Sequence, residues 1–96
     1  MLVLVTYDVN VETKEGRKRL RHVAKICVNH GQRVQNSVFE CKVDPAMLVR
    51  LRALLEKEIN HETDSIRIYH LGKNWQGKID HMGNKTSYDP EGPLII

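Results

Sequence analysis

Residues 2–8, Leu2-Val3-Leu4-Val5-Thr6-Tyr7-Asp8, decide the fold. Four consecutive apolar residues make both side-chain parities hydrophobic. Such a stretch reads as a strand buried on both faces. It ends on a carboxylate, which is costly to bury unless it is paired, hydrogen-bonded or bound to a metal.

Working outward, residues 10–13 form a short loop in which Thr13 suits a helix N-cap. Lys14–His30 then carries Leu20, Val23, Ala24 and Cys27 at the i, i+3, i+4, i+7 spacing of an amphipathic helix. Gly31 is a natural stop. Gly16 lies in the first turns, where the roughly 1 kcal/mol glycine penalty hurts least. Gln32–Gln35 and residues 38–43 read as two arms of a hairpin with a tight break at Asn36-Ser37; Phe39, Cys41 and Val43 alternate with Glu40 and Lys42. Asp44-Pro45 starts a second helix, with Asp as cap and Pro at the first helical position. Met47, Leu48, Leu51, Leu54, Leu55 and Ile59 make its apolar face. Residues 64–71 alternate again, Ile66 and Ile68 against Arg67 and Tyr69. The order β-α-β-β-α-β predicts an α+β, ferredoxin-like sandwich, a four-stranded antiparallel sheet with both helices on one face. The tail, residues 72–96, holds a strand-like stretch at 79–82, a candidate additional C-terminal strand, and closes on Pro93-Leu94-Ile95-Ile96.

Two helices cover one sheet face, yet both parities of the opening strand are apolar. The tail supplies some cover for the second face. A second copy of the chain is the simplest additional cover, which predicts a homodimer packed sheet face to sheet face.

Ninety-six residues make a single domain, residues 1–96. An apolar fraction of 41% with 28% charged residues is ordinary globular composition and argues against a disordered, collagen-like or disulfide-scaffold chain. No run approaches the roughly 18 apolar residues of a membrane span. Met1-Leu2-Val3-Leu4-Val5 has no basic region before it and meets Asp8 too soon for a signal peptide. The expectation is a soluble, cytoplasmic protein with no membrane partner. Cys27 and Cys41 have neither zinc-ligand nor CxxC spacing and read as buried thiols.

The net charge of +3 is uneven. Residues 14–42 hold Lys14, Arg17, Lys18, Arg19, Arg21, Lys25, Arg33 and Lys42 against Glu15 and Glu40, a local charge of +6. Lys14, Lys18, Arg21 and Lys25 fall on one helical stripe at about 100° per residue. Such a cluster either attracts a polyanion or serves as a solvated helix face.

Asp8 is the residue with chemistry to offer. Two copies brought together across a two-fold axis repel unless a cation sits between them. Mg²⁺ accepts one or two carboxylates, keeps several waters and bridges to phosphate oxygens. The plainer reading of Asp8 is a strand-end residue starting a turn with Asn10. The five histidines show no close ligand spacing; His70 and His81 become general acids only where the tail folds back toward Asp8. Ser37 is a phosphate contact or a turn serine. Tyr7 and Phe39 stack on a base or pack in the core, the second being the better fit. No Walker, GxGxxG or GxSxG motif is present.

Three stretches together resemble one family: residues 2–9; Gly16-Arg17-Lys18-Arg19-Leu20; and residues 31–40, Gly31-Gln32-Arg33-Val34-Gln35-Asn36-Ser37-Val38-Phe39-Glu40. They look like the smaller of the two universal CRISPR spacer-acquisition proteins. The ending Tyr88-Asp89-Pro90-Glu91-Gly92-Pro93-Leu94-Ile95-Ile96 resembles a bacterial subgroup of it. The resemblance implies a ferredoxin-like homodimer whose tail strand is exchanged onto the partner's sheet. It implies a metal-dependent endonuclease acting on RNA in some members and on double-stranded DNA in others, with Mg²⁺ as cofactor and Mn²⁺ as a substitute. It also implies a central bridge between copies of a larger CRISPR integrase. The family's catalytic and metal-holding acid maps onto Asp8, its basic nucleic-acid contacts onto Arg17, Arg19 and Arg33, and its hairpin positions onto Ser37 and Phe39; Lys14, Lys18 and Arg21 add charge beside them. Three functions follow as expectations: a nuclease, a non-catalytic DNA-binding bridge, and a toxin-like RNA interferase on the same fold.

Overall fold

Strand β1 runs over Leu2–Asp8 in the computed structural model of the chain, which describes residues 1–83. It pairs antiparallel with β3 (Val38–Lys42) on one side and with β4 (Ser65–Gly72) on the other. With β2 (Gln32–Gln35) beyond β3, the sheet order is β2-β3-β1-β4. Helices α1 (Lys14–His30) and α2 (Pro45–Glu58) complete the β-α-β-β-α-β order of the ferredoxin-like fold. No helix of the described residues is long and apolar enough to cross a membrane.

Period-two alternation divides β1 between the two sheet faces. Val3, Val5 and Tyr7 join Val23 and Cys27 of α1, Phe39 and Cys41 of β3, and Leu51 and Leu55 of α2 in one buried cluster. Both cysteines are free and buried, and desolvation pushes each thiol up to about 12. Leu2, Leu4, Thr6 and Asp8 take the other parity, away from the helices. Leu2 is buried, Leu4 and Thr6 are half-buried, and Asp8 is exposed.

The predicted caps are in place. The Thr13 hydroxyl accepts from the Gly16 amide at 3.0 Å, and the Asp44 carboxylate accepts from the Met47 amide at 2.7 Å. The apolar face of α2 is narrower than its sequence suggests. Leu51 and Leu55 are buried and Leu48 and Ile59 pack partly against the core, but Met47 and Leu54 remain 38% and 41% exposed. At about 100° per residue those two sit roughly a quarter-turn off the buried seam.

Two glycines have reasons that local sequence does not reveal. Gly31 ends α1 with φ −169°, extended rather than left-handed. A Cβ there would collide with the Glu40 carbonyl oxygen and stand 2.8 Å from the Cys41 Cα, so it is the close approach of the helix end to β3 that requires glycine. Gly16 is buried, and a Cβ there would collide with the Asn10 carbonyl oxygen. The β1–α1 loop thus lies directly on the first turn of α1.

Asp64 does not open β4, which begins at Ser65. It is buried in the loop before it and accepts from the backbone amides of Asn10 at 3.0 Å and Asn60 at 2.9 Å, from the Thr63 hydroxyl at 3.1 Å and from Arg19 Nε at 2.8 Å. Desolvation raises its pKa, but the hydrogen bonds from Arg19, Asn60, Asn10 and Thr63 outweigh that and hold it at about 2. Gly72, the last residue of β4, takes a left-handed φ of 79°, and a 3₁₀ turn beyond it, Trp75–Lys78, buries Trp75. Residues 79–82, expected to be strand-like, join no strand among the described residues. The rest of the expected tail strand lies outside them.

Gly16→Ala, which helix propensity alone would favour by roughly 1 kcal/mol, instead lowers stability by about 1–3 kcal/mol in urea denaturation, because the loop must move off the helix. Asp64 has a folded pKa depressed to about 2 from an ordinary carboxylate value of 3.8, so its stabilisation is complete above the unfolded value and disappears as pH falls through the folded one. Wild type is therefore more stable than Asp64→Asn at neutral pH, and the gap closes between about pH 4 and pH 2 in denaturation curves followed across pH.

Candidate active site and nucleic-acid interface

Asp8 ends β1 on the sheet face turned from the helices, in register with Ser65 of β4. The β2–β3 hairpin adjoins it: the Tyr7 amide donates to the Ser37 carbonyl at 3.1 Å. Ser37 holds a left-handed φ of 62° at the hairpin tip, the single non-glycine residue with positive φ among those described. Burial raises the Tyr7 phenol pKa, against a side-chain hydrogen bond with Ser37. The Ser37 side chain is thus engaged with Tyr7 of β1 from its place at the turn. Tyr7 and Phe39 stack with centroids 6.1 Å apart and are both buried, so the aromatic pair is core packing and not a platform for bases. Arg33, exposed on β2, lies 5.1 Å from the centroid of the Phe39 ring.

The basic residues of α1 divide in two. Lys14, Lys18, Arg21 and Lys25 are exposed along the stripe their spacing predicts. Arg17 is also exposed and donates to the Val11 carbonyl at 3.3 Å. Arg19, grouped with them by sequence, is instead drawn inward. Its side chain is 19% exposed and its guanidinium is ion-paired with Asp64, whose side chain is fully buried. The physical reason is that a buried carboxylate needs a cation, and Arg19 is the one within reach.

The stripe and Asp8 do not share a surface. The stripe crosses the solvent side of the helix layer, whereas Asp8 lies on the opposite, helix-free side of the sheet. Within one chain this layering keeps the acid apart from the cationic stripe. His70 is no neighbour of Asp8 either. It stands opposite Val3 near the other end of β4 and lines a groove of about 410 Å³ on the helix side, with Arg52, Ile66 and Ile68. Among the described residues no group of three or more His, Cys, Asp or Glu could hold a metal ion.

Sequence reading passes over two residues here. Arg67 stands opposite Thr6 on the sheet face of Asp8 and donates to the Tyr69 hydroxyl at 3.3 Å. Its parity against Ile66 and Ile68 is the available signal. Asp64 leaves no such mark, because only the folded chain brings Asn10, Arg19 and Asn60 around it.

The family described as "CRISPR associated protein Cas2" matches residues 1–79. A protein of Chlorobaculum tepidum named CRISPR-associated endoribonuclease Cas2 is 60% identical over 96 residues, covering all of both chains. One from Halalkalibacterium halodurans, named CRISPR-associated endonuclease Cas2, is 57% identical over the same full lengths. The crystal structure of Streptococcus pyogenes Cas2 at pH 6.5 superposes with a TM-score of 0.75 and 64% identity, covering 86% of this chain and 100% of that one. The family match, the full-length relatives and the shared fold lead to one conclusion: this chain belongs to the CRISPR-associated Cas2 family.

Proposed function

We propose that the protein is an Mg²⁺-dependent endonuclease of the CRISPR system, working as a homodimer whose two Asp8 carboxylates hold the metal ion, with Mn²⁺ as a substitute. The observation that carries this reading is the exposed carboxylate at the end of an otherwise apolar central strand, on the one sheet face the helices leave open. A lone carboxylate suits Mg²⁺, which keeps most of its waters, and does not suit an ion that demands a full protein cage. The metal, when bound, activates water and stabilises charge on the phosphodiester oxygens. What the chain does is present the carboxylate, fix its backbone through the β1–β4 pairing, and supply from a second copy the matching acid. The endonuclease and endoribonuclease names of its relatives support phosphodiester cleavage, with duplex DNA and single-stranded RNA as the substrates to compare.

A second reading is favoured by the stripe's position. Lys14, Arg17, Lys18 and Arg21, on the helix layer, bind nucleic-acid backbone at a surface apart from Asp8. Such a dimer acts as a DNA-binding bridge in spacer integration alongside a larger integrase. It needs no cleavage at Asp8. The two roles are compatible because they use opposite layers.

Cleavage of single-stranded RNA and of duplex DNA, each with and without Mg²⁺, checks the first reading. Asp8→Asn abolishes Mg²⁺-dependent product while light scattering still gives twice the 11.1 kDa chain mass. Undiminished cleavage by that variant in a nuclease-free preparation sinks the catalytic assignment. For the second reading, Lys18→Glu with Arg21→Glu weakens duplex binding and reduces the slope of log affinity against log salt by about 0.9 for each phosphate no longer neutralised, while Asp8→Asn leaves binding unchanged.

A further inference from the structure

We propose that Asp64 and Arg19 form a positioning pair for Asp8, so that Arg19 serves cleavage through the fold and makes no contact with nucleic acid. The inference rests on the reading of Asp8 as the metal-holding acid. Asp64 immediately precedes Ser65, the cross-strand partner of Asp8. The same carboxylate accepts the amide of Asn10, two residues beyond Asp8, at 3.0 Å. One buried group therefore grips the chain on both sides of the Asp8–Ser65 pair.

Asn10 is held from other directions too. Its carbonyl oxygen lies against Gly16, where any Cβ would collide with it, and its side-chain oxygen accepts the Glu12 amide at 2.9 Å. The exit of the chain from β1 is thus pinned to β4 through Asp64 and to α1 through Gly16. Arg19 completes the arrangement. Its Nε donates to Asp64 Oδ2 at 2.8 Å and a terminal nitrogen lies 3.5 Å from Oδ1. Removing that guanidinium leaves a buried carboxylate without its cation. The carboxylate then takes up a proton or draws in water, and either weakens its hold on the Asn10 amide. The exposed lysines of the stripe carry no such duty. A catalytic group displaced by about 1 Å can lose about 10²-fold in rate, so a loosened Asn10 tether is enough to matter at Asp8.

The test uses the full chain. It measures kcat and KM for Asp8-dependent cleavage, and duplex affinity across salt, for wild type, Arg19→Ala, Asp64→Ala, the double variant and Lys18→Ala. Expected are kcat losses of about 10²-fold in each single variant, with KM within about twofold, and no further loss in the double variant, because the two residues act as one unit. The salt slope of Arg19→Ala matches wild type, whereas that of Lys18→Ala falls by about 0.9. Where an alanine variant does not fold, Arg19→Gln and Asp64→Asn replace it. The proposal is overturned by a fall in slope of about 0.9 in the Arg19 variant, by kcat losses that multiply in the double variant, or by unchanged kcat. Asp8→Asn run in parallel separates the two levels. If it cleaves like wild type, the underlying reading falls and the proposal falls with it. If it is inactive while the Arg19 and Asp64 variants cleave normally, only the positioning pair is refuted.

Discussion

Alternation along one central strand organises both core and site. Because successive side chains of β1 point to opposite faces, the same seven residues must serve two environments. Val3, Val5 and Tyr7 anchor the helices and define the core. Leu2, Leu4, Thr6 and Asp8 face the side that neither α1 nor α2 covers. A register slip of one residue would bury Asp8 under the helices and expose the valines, so the fold and the position of the acid are specified by one pairing. The antiparallel registers to β3 and β4 lock that pairing from both sides.

The layering has a functional consequence. Cationic side chains that are crowded together in sequence separate in space according to what each can reach. Those on the outward side of α1 are exposed among the described residues. Arg19, turned toward the sheet end, is claimed by a buried carboxylate that it helps to keep ionised. Charge density in the sequence therefore overstates the binding surface by the residue that the fold itself consumes. It also conceals that Asp8 and the exposed stripe of α1 lie on opposite layers.

Close backbone approaches bind these layers together. Gly31 brings the end of α1 against β3, and Gly16 lets the β1–α1 loop rest on the opening turn of α1. Neither is explained by helix propensity, in which glycine is only a cost. Both are explained by the absence of a Cβ where two segments of backbone meet. The Asp64 carboxylate performs the complementary task with hydrogen bonds, tying loops that are far apart in the chain.

Local chemistry was legible in the residues themselves. The apolar run gave β1 its central place, Thr13 and Asp44-Pro45 marked both helix starts, and the alternation around Phe39 and Cys41 marked β3. These signals act over a few residues, through caps, turns and periodicity, so a linear reading captures them. Whether Arg19 faces water or Asp64, why positions 16 and 31 admit no side chain, and which part of the apolar face of α2 is buried were decided only when distant segments packed. Each depends on partners brought together from across the chain, and a sequence records the identity of those partners but not their distance.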